Sequence, residues 1–174
     1  RHQYVLNLGL PEARSCLFES LDRLLRSTPI HFLKWDMNRD MTHADGMDGR
    51  AAARKHVLGT YALIDQLRIA HPSVQIETCA SGGGRTDLAV LRRTDRVWVS
   101  DCNDPIARQR IQQGFLLFNP PELMGAHVGD AQSHTNGRTA SIALRKLSTL
   151  FGHMGIEANL LKMSADDLVF LRTA

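Results

Sequence analysis

Residues 32–40 read FLKWDMNRD, Phe32 to Asp40. An apolar run that begins at Ile30 ends there by setting Lys34, Asp36, Asn38, Arg39 and Asp40 close together. Strand side chains alternate faces, so a strand over residues 30–35 sends Phe32, Lys34 and Asp36 one way and Leu33, Trp35 and Met37 the other. A lysine and a carboxylate on one face of a core strand cost desolvation energy unless they are paired or used. On local grounds an internal ion pair is the favoured account of them, so the neighbouring sequence has to decide.

Outward from this stretch the same arrangement recurs. Residues 3–8 (QYVLNL) alternate like a short strand, and Pro11 opens a helix predicted through Arg26 with Leu17, Leu21, Leu24 and Leu25 on one face. After the polar loop THADGMDG comes a helix over residues 50–70, with Val57, Tyr61, Ile64 and Leu67 at helical spacing, stopped by His71-Pro72. The expected strands that follow are 74–78, 97–99, an apolar segment 123–127 and a short run 153–156. The expected helices between and after them are 86–93, 105–118, 137–150 and 165–171. Strand, loop and helix in alternation mean parallel βαβ units. A polar cluster follows each of four strands: KWDMNRD, ETCASGGGR, SDCND and GAHVGDAQSHTNGR. A (β/α)8 barrel opens all its strand C-termini onto one functional face, whereas a doubly wound sheet gathers ligands at one crevice. The expected class is therefore α/β, a (β/α)8 barrel. A whole barrel needs about 200 residues or more, so five or six βα units read as its later half to two-thirds.

Composition narrows the function. The chain has 174 residues with 43% hydrophobic content, enough for one sizeable core, and 22% charged residues. A net charge of +3 with scattered Lys and Arg and only 6% aromatics makes no nucleic-acid surface. No run approaches the roughly 18 apolar residues of a membrane span. Three cysteines, Cys16, Cys79 and Cys102, lack C-x-x-C spacing, which fits a reducing, cytoplasmic setting rather than a disulfide framework. Cys102, His127, His134 and His153 match no ligand spacing, so no metal and no cofactor are expected.

Two groups carry candidate chemistry. Asp36 and Asp101 each end a strand and would form a carboxylate pair at a barrel mouth. Retaining glycosidases place such a pair about 5 to 5.5 Å apart, one as nucleophile and one as acid/base. SGGGR, Ser81–Arg85, lies between a strand and a helix and invites a phosphate-loop reading, but lacks the G-K-[ST] ending. A tight turn needing permissive glycines explains it equally well.

Taken in order, the blocks LKWDMNRD, ETCASGGGR, WVSD-x-ND-x-x-x-R-x-x-IQ-x-G, P-x-x-x-MGAHV with H-T-x-GR, and FGH-x-GIE resemble the α-galactosidases of glycoside hydrolase family 36. The resemblance implies a retaining α-galactosidase with Asp36 as nucleophile and Asp101 as acid/base. It also implies a galactose pocket lined by Lys34, Trp35, Asp36, Met37 and Asn38, with Cys79 touching the sugar. Arg1, before the first strand, matches a substrate-binding arginine, and Gly82 and Gly83 are further contacts. The sequence departs from the pattern in reading Cys102-Asn103 inside SD-x-x-D and Ala158-Asn159 where the family has Trp-Asp. The family's acidic D-D-G-W segment and a pocket tryptophan belong upstream of Arg1. The expectation is thus that residues 1–174 form part of a single catalytic barrel whose early strands and accessory domains lie outside this chain. The expected partner is an α-galactoside, with homo-oligomerisation. A catalytically silent half-barrel that self-associates or binds sugar weakly is the alternative.

Overall fold

The computed structural model describes residues 4–39, 41 and 51–173. Arg1, Asp40 and the loop THADGMDG lie outside the described residues. The chain divides into two compact units, Arg1–Ala80 with Thr86–Asp95, and Ser81–Arg85 with Arg96–Ala174.

The first unit holds helix α1 (Pro11–Ser27), strand β1 (Phe32–Asp36), helix α2 (Ala53–Ala70), strand β2 (Gln75–Cys79) and the short helix α3 (Leu88–Leu91). Pro11 starts α1, where its missing N–H costs nothing. One apolar cluster of Leu8, Leu63 and Leu67 receives Leu17, Phe18, Leu21 and Leu25 from α1. A second gathers Ile64, Ile76 and Val90. Trp35 packs against both. β1 and β2 pair in parallel, with Lys34 opposite Glu77 and Asp36 opposite Cys79. Two polar ties hold the helices. Asp22 of α1 binds Arg26 and reaches His71 at 2.8 Å. Asp87 caps α3 by accepting from the Ala89 and Val90 amides and takes the Tyr61 hydroxyl at 2.7 Å. Burial raises the Asp87 carboxyl, but the Tyr61 hydroxyl and those amides outweigh it, so its pKa falls below the ordinary value.

The second unit carries strand β3 (Arg96–Trp98), helix α4 (Pro105–Leu116), strand β4 (Met124–Gly129), helix α5 (Ile142–Leu147), strand β5 (His153–Glu157) and helix α6 (Ala165–Arg172). β4 pairs in parallel with both β3 and β5. Its core is built from Val97, Trp98, Met124, Ala126 and Val128.

Strand and helix alternate, and among the described residues β1 with β2, β3 with β4 and β4 with β5 all pair in parallel, as the βα reading requires. Two expected elements differ. The described part of residues 3–8 forms no strand. The Leu8 N–H meets His56 Nδ1 at 3.3 Å and its carbonyl accepts from Arg14 Nη1 at 2.8 Å, so side chains satisfy its backbone where a ladder was expected. Helix α5 starts at Ile142 rather than 137, because Ser141 caps it. Gly137, with φ +73°, belongs to the preceding loop, as do the bridged Gln132 and Thr139.

Candidate active site

At the end of β1, Lys34 and Asp36 are exposed while Leu33, Trp35 and Met37 are half-buried, the alternation that the sequence dictates. Asn38 Nδ2 donates to Asp36 Oδ2 at 2.6 Å, which fixes the carboxylate's rotation. The Met37 amide donates to the Cys79 carbonyl at 3.2 Å and carries the ladder one residue past Asp36. Parallel register sets Cys79 beside Asp36 and Glu77 beside Lys34, on the same face. The structure thus brings Lys34, Asp36, Asn38 and Cys79 together at one strand end. Trp35, expected at the sugar pocket, sends its ring the other way into the apolar clusters, and Met37 shares that side. Arg1 lies outside the described residues. Sequence reading passed over Glu77, which is 1% exposed. Its signal was the one that marked Lys34, a charge inside an apolar strand.

In the second unit, Asp101 follows β3 and is exposed. The Trp98 indole Nε1 donates to Asp101 Oδ1 at 2.9 Å. The backbone on either side is pinned: Arg108 Nη2 donates to the Ser100 carbonyl at 3.0 Å, and the Cys102 amide donates to Ser100 Oγ at 3.1 Å. Gly82 has φ +80°, and a Cβ there would sit 2.8 Å from Ser100 Cα; at Gly83 it would sit 2.9 Å from the Val99 carbonyl oxygen. Both glycines therefore let the Ser81–Arg85 turn lie against the backbone leading into Asp101. Helix α3, which follows that turn, has four residues and its Ala89 and Val90 amides already bind Asp87, while the Gly83 amide donates to the Val99 carbonyl, so none of these three amides is left for an anion.

Beyond Asp101, the fully buried Asp104 caps α4 and accepts from Arg138 Nη1 at 2.6 Å and Asn136 Nδ2 at 3.0 Å. The β4–α5 loop is thereby tied to the β3–α4 loop. Cys102 Sγ meets Thr135 Oγ1 at 3.3 Å, a second tie between the same loops. A polar recess of about 400 Å³ opens beside them, lined by Asn103, Asp130, Ser133, His134, Glu157 and Asn159 among others. Ala158, where the family pattern has tryptophan, also lines it. Among the described residues no group of His, Cys, Asp and Glu is arranged to hold a metal ion. No helix among them is long and apolar enough to cross a membrane.

Asp36 thus stands at the C-terminal end of β1 and Asp101 in the loop just after β3, each exposed and oriented by one side-chain donor. Comparison with family models matches Melibiase across residues 1–173. The chain belongs to the melibiase family. This melibiase chain is 50% identical over 157 residues to an alpha-galactosidase of Escherichia coli, covering 90% of this chain and 22% of that protein. The alpha-galactosidase of Lactobacillus brevis matches with a TM-score of 0.94 at 33% identity, over 99% of this chain and 24% of its own. A variant of the family 36 alpha-galactosidase AgaA of Geobacillus stearothermophilus, solved in complex with raffinose, matches with a TM-score of 0.92 at 31% identity, over 97% of this chain and 24% of its own. Another AgaA variant was solved with stachyose. The expected fold class, part of a (β/α)8 barrel, is borne out. The melibiase chain spans about a quarter of the length of these relatives.

Proposed function

We propose that this chain supplies the later βα units, and both catalytic carboxylates, of a single-barrel retaining α-galactosidase. What carries the reading is the family match over residues 1–173, with an exposed, hydrogen-bonded aspartate at the end of β1 and another just after β3. In the first step Asp36 attacks the anomeric carbon as the glycosidic C–O bond breaks, and the Asp101 proton passes to the departing oxygen. In the second, Asp101 takes a proton from water, whose oxygen displaces Asp36 and releases galactose with its configuration kept. Asn38 holds Asp36 aimed through its hydrogen bond, Lys34 and Cys79 border the sugar, and Gly82, Gly83, Met37 and Trp35 contribute by setting backbone positions. The substrates are terminal α-galactosides of the raffinose class, in keeping with the sugars bound to the AgaA variants. The reaction uses no cofactor. A reducing, cytoplasmic setting is supported by cysteines that form no disulfide.

The test is nitrophenol release from an aryl α-galactoside by this chain, with Asp36→Asn as control. Hydrolysis that vanishes in the control is the expected result. One observation favours the alternative of a silent fragment, namely that the chain spans about a quarter of its relatives' length. A sample that unfolds cooperatively yet releases no nitrophenol would establish that alternative.

A further inference from the structure

Trp98 is an unusual neighbour for an exposed carboxylate. Its ring is only 1% exposed, yet it spends its single polar atom on Asp101 Oδ1 at 2.9 Å. The Arg108 guanidinium lies over the indole at 4.5 Å from its centroid, and the His127 imidazole stacks on it with centroids 4.2 Å apart and planes 29° apart. His127 is itself anchored, with Nδ1 3.0 Å from Glu157 Oε2. Gly155 leaves the space for that ring, since a Cβ there would lie 2.5 Å from His127 Cδ2. An indole packed in this way cannot swing aside, so its N–H direction is a fixed property of the core.

Indole nitrogen donates and never accepts. Oδ1 of Asp101 is therefore an acceptor whether the carboxyl is protonated or ionised. Among the described residues Oδ2 has no hydrogen-bond partner. We propose that Trp98 is a positioning residue that assigns the two oxygens of Asp101: Oδ1 is held, and Oδ2 carries the proton given to the leaving oxygen and then takes one from water. The inference rests on the reading of Asp101 as acid/base. The balance is that of the two steps above, with the same oxygen losing and regaining one proton. With the N–H removed, the carboxyl rotates and the proton is presented from either oxygen in a spread of directions, which weakens proton transfer without touching the attack by Asp36.

The experiment is Trp98→Phe, which keeps an aromatic ring against Arg108 and His127 and deletes the donor. The expected loss in kcat/KM is about tenfold or more for sugar or alkyl galactosides, which need the proton, and no more than about threefold for a dinitrophenyl galactoside, which does not. Azide, which needs no base to attack the galactosyl intermediate, should restore turnover of the aryl substrate. Equal losses on both substrates, with no response to azide, would mean that Trp98 only supports the fold and would overturn the proposal. A second readout does not depend on catalysis or on the folding of that variant. The chain has two tryptophans, so its proton–nitrogen spectrum holds two indole signals. Substituting the exposed Asp101→Ala should move the Trp98 signal and leave the Trp35 signal in place, and a Trp98 signal that ignores the change would overturn the proposal. A wild-type chain that hydrolyses nothing would count against the functional reading, whereas a Trp98 signal that ignores Asp101→Ala would overturn this proposal by itself.

Discussion

At the residue scale, the two aspartates differ in what a substitution should reveal. Asp101→Ala is expected to cut turnover of sugar galactosides by about a hundredfold or more, and that of aryl galactosides with good leaving groups far less in the bond-breaking step, because those need no proton. Steady-state and single-turnover rates on the two substrate types check this, and matching losses would argue against the acid role. Both aspartates drew attention in the sequence for a physical reason: each is a charge directly after an apolar strand-forming run, where a βα unit opens onto the functional face of a barrel. The groups that aim Asp101 were not legible. Trp98 and His127 look like ordinary strand residues, and only packing shows that one donates to the carboxylate and the other stacks on the donor. Trp35 shows the reverse. Its place within KWD marks it for the pocket, while strand alternation, already readable, sends its ring into the core.

At the element scale, the tie between the β3–α4 and β4–α5 loops should show an asymmetry. Asp104 is fully buried, whereas the Arg138 side chain is 45% exposed. Removing Arg138 leaves a buried carboxylate short of its charged partner, which costs about 3 to 5 kcal/mol. Removing the carboxylate in Asp104→Ala loses a helix cap, worth about 1 kcal/mol, and frees an arginine that water can solvate, so its cost should be smaller. Urea midpoints of Arg138→Ala and Asp104→Ala decide the order, and the reverse order would show that the cap outweighs the ion pair. The same pair explains why α5 begins later than expected. Gly137–Arg138 is helix-compatible in pattern, but Arg138 is drawn to a carboxylate 34 residues away, which no local periodicity can display. A second element-scale effect is pH-dependent. The Arg26 hydrogen bond holds the Asp22 carboxyl below its ordinary value of 3.8, with burial opposing and His71 assisting. A depressed acid contributes stability above its unfolded pKa and loses it as pH falls through the folded one. Asp22→Asn should therefore lower stability near neutral pH, and the gap to wild type should close as pH falls below the ordinary carboxylate value of 3.8 and through the depressed one. A gap that persists at acid pH would place the effect in packing rather than charge.

At the scale of the molecule, five blocks in fixed order made the family legible, because each block joins a strand tip to the polar loop after it. What the order of blocks does not display is the apolar surface that each unit leaves uncovered. β5 is exposed on both faces, with Met154 and Ile156 open, and among the described residues it pairs only with β4. Phe118, Phe151 and Leu161 are largely exposed in the same unit. A strand with one unpaired edge and apolar side chains is a template for association with another chain. The chain by itself should therefore self-associate, with a light-scattering mass near twice 19.4 kDa or above at micromolar concentration. Ile156→Lys puts a charge on that edge, where it opposes strand-to-strand docking, and should shift the mass toward that of one chain without lowering the unfolding midpoint, since Ile156 is exposed. A wild-type chain that stays monomeric would show that β5 does not recruit a second copy. An Ile156→Lys chain that associates as strongly as wild type would move the contact to the other exposed apolar residues, Phe118, Phe151 and Leu161.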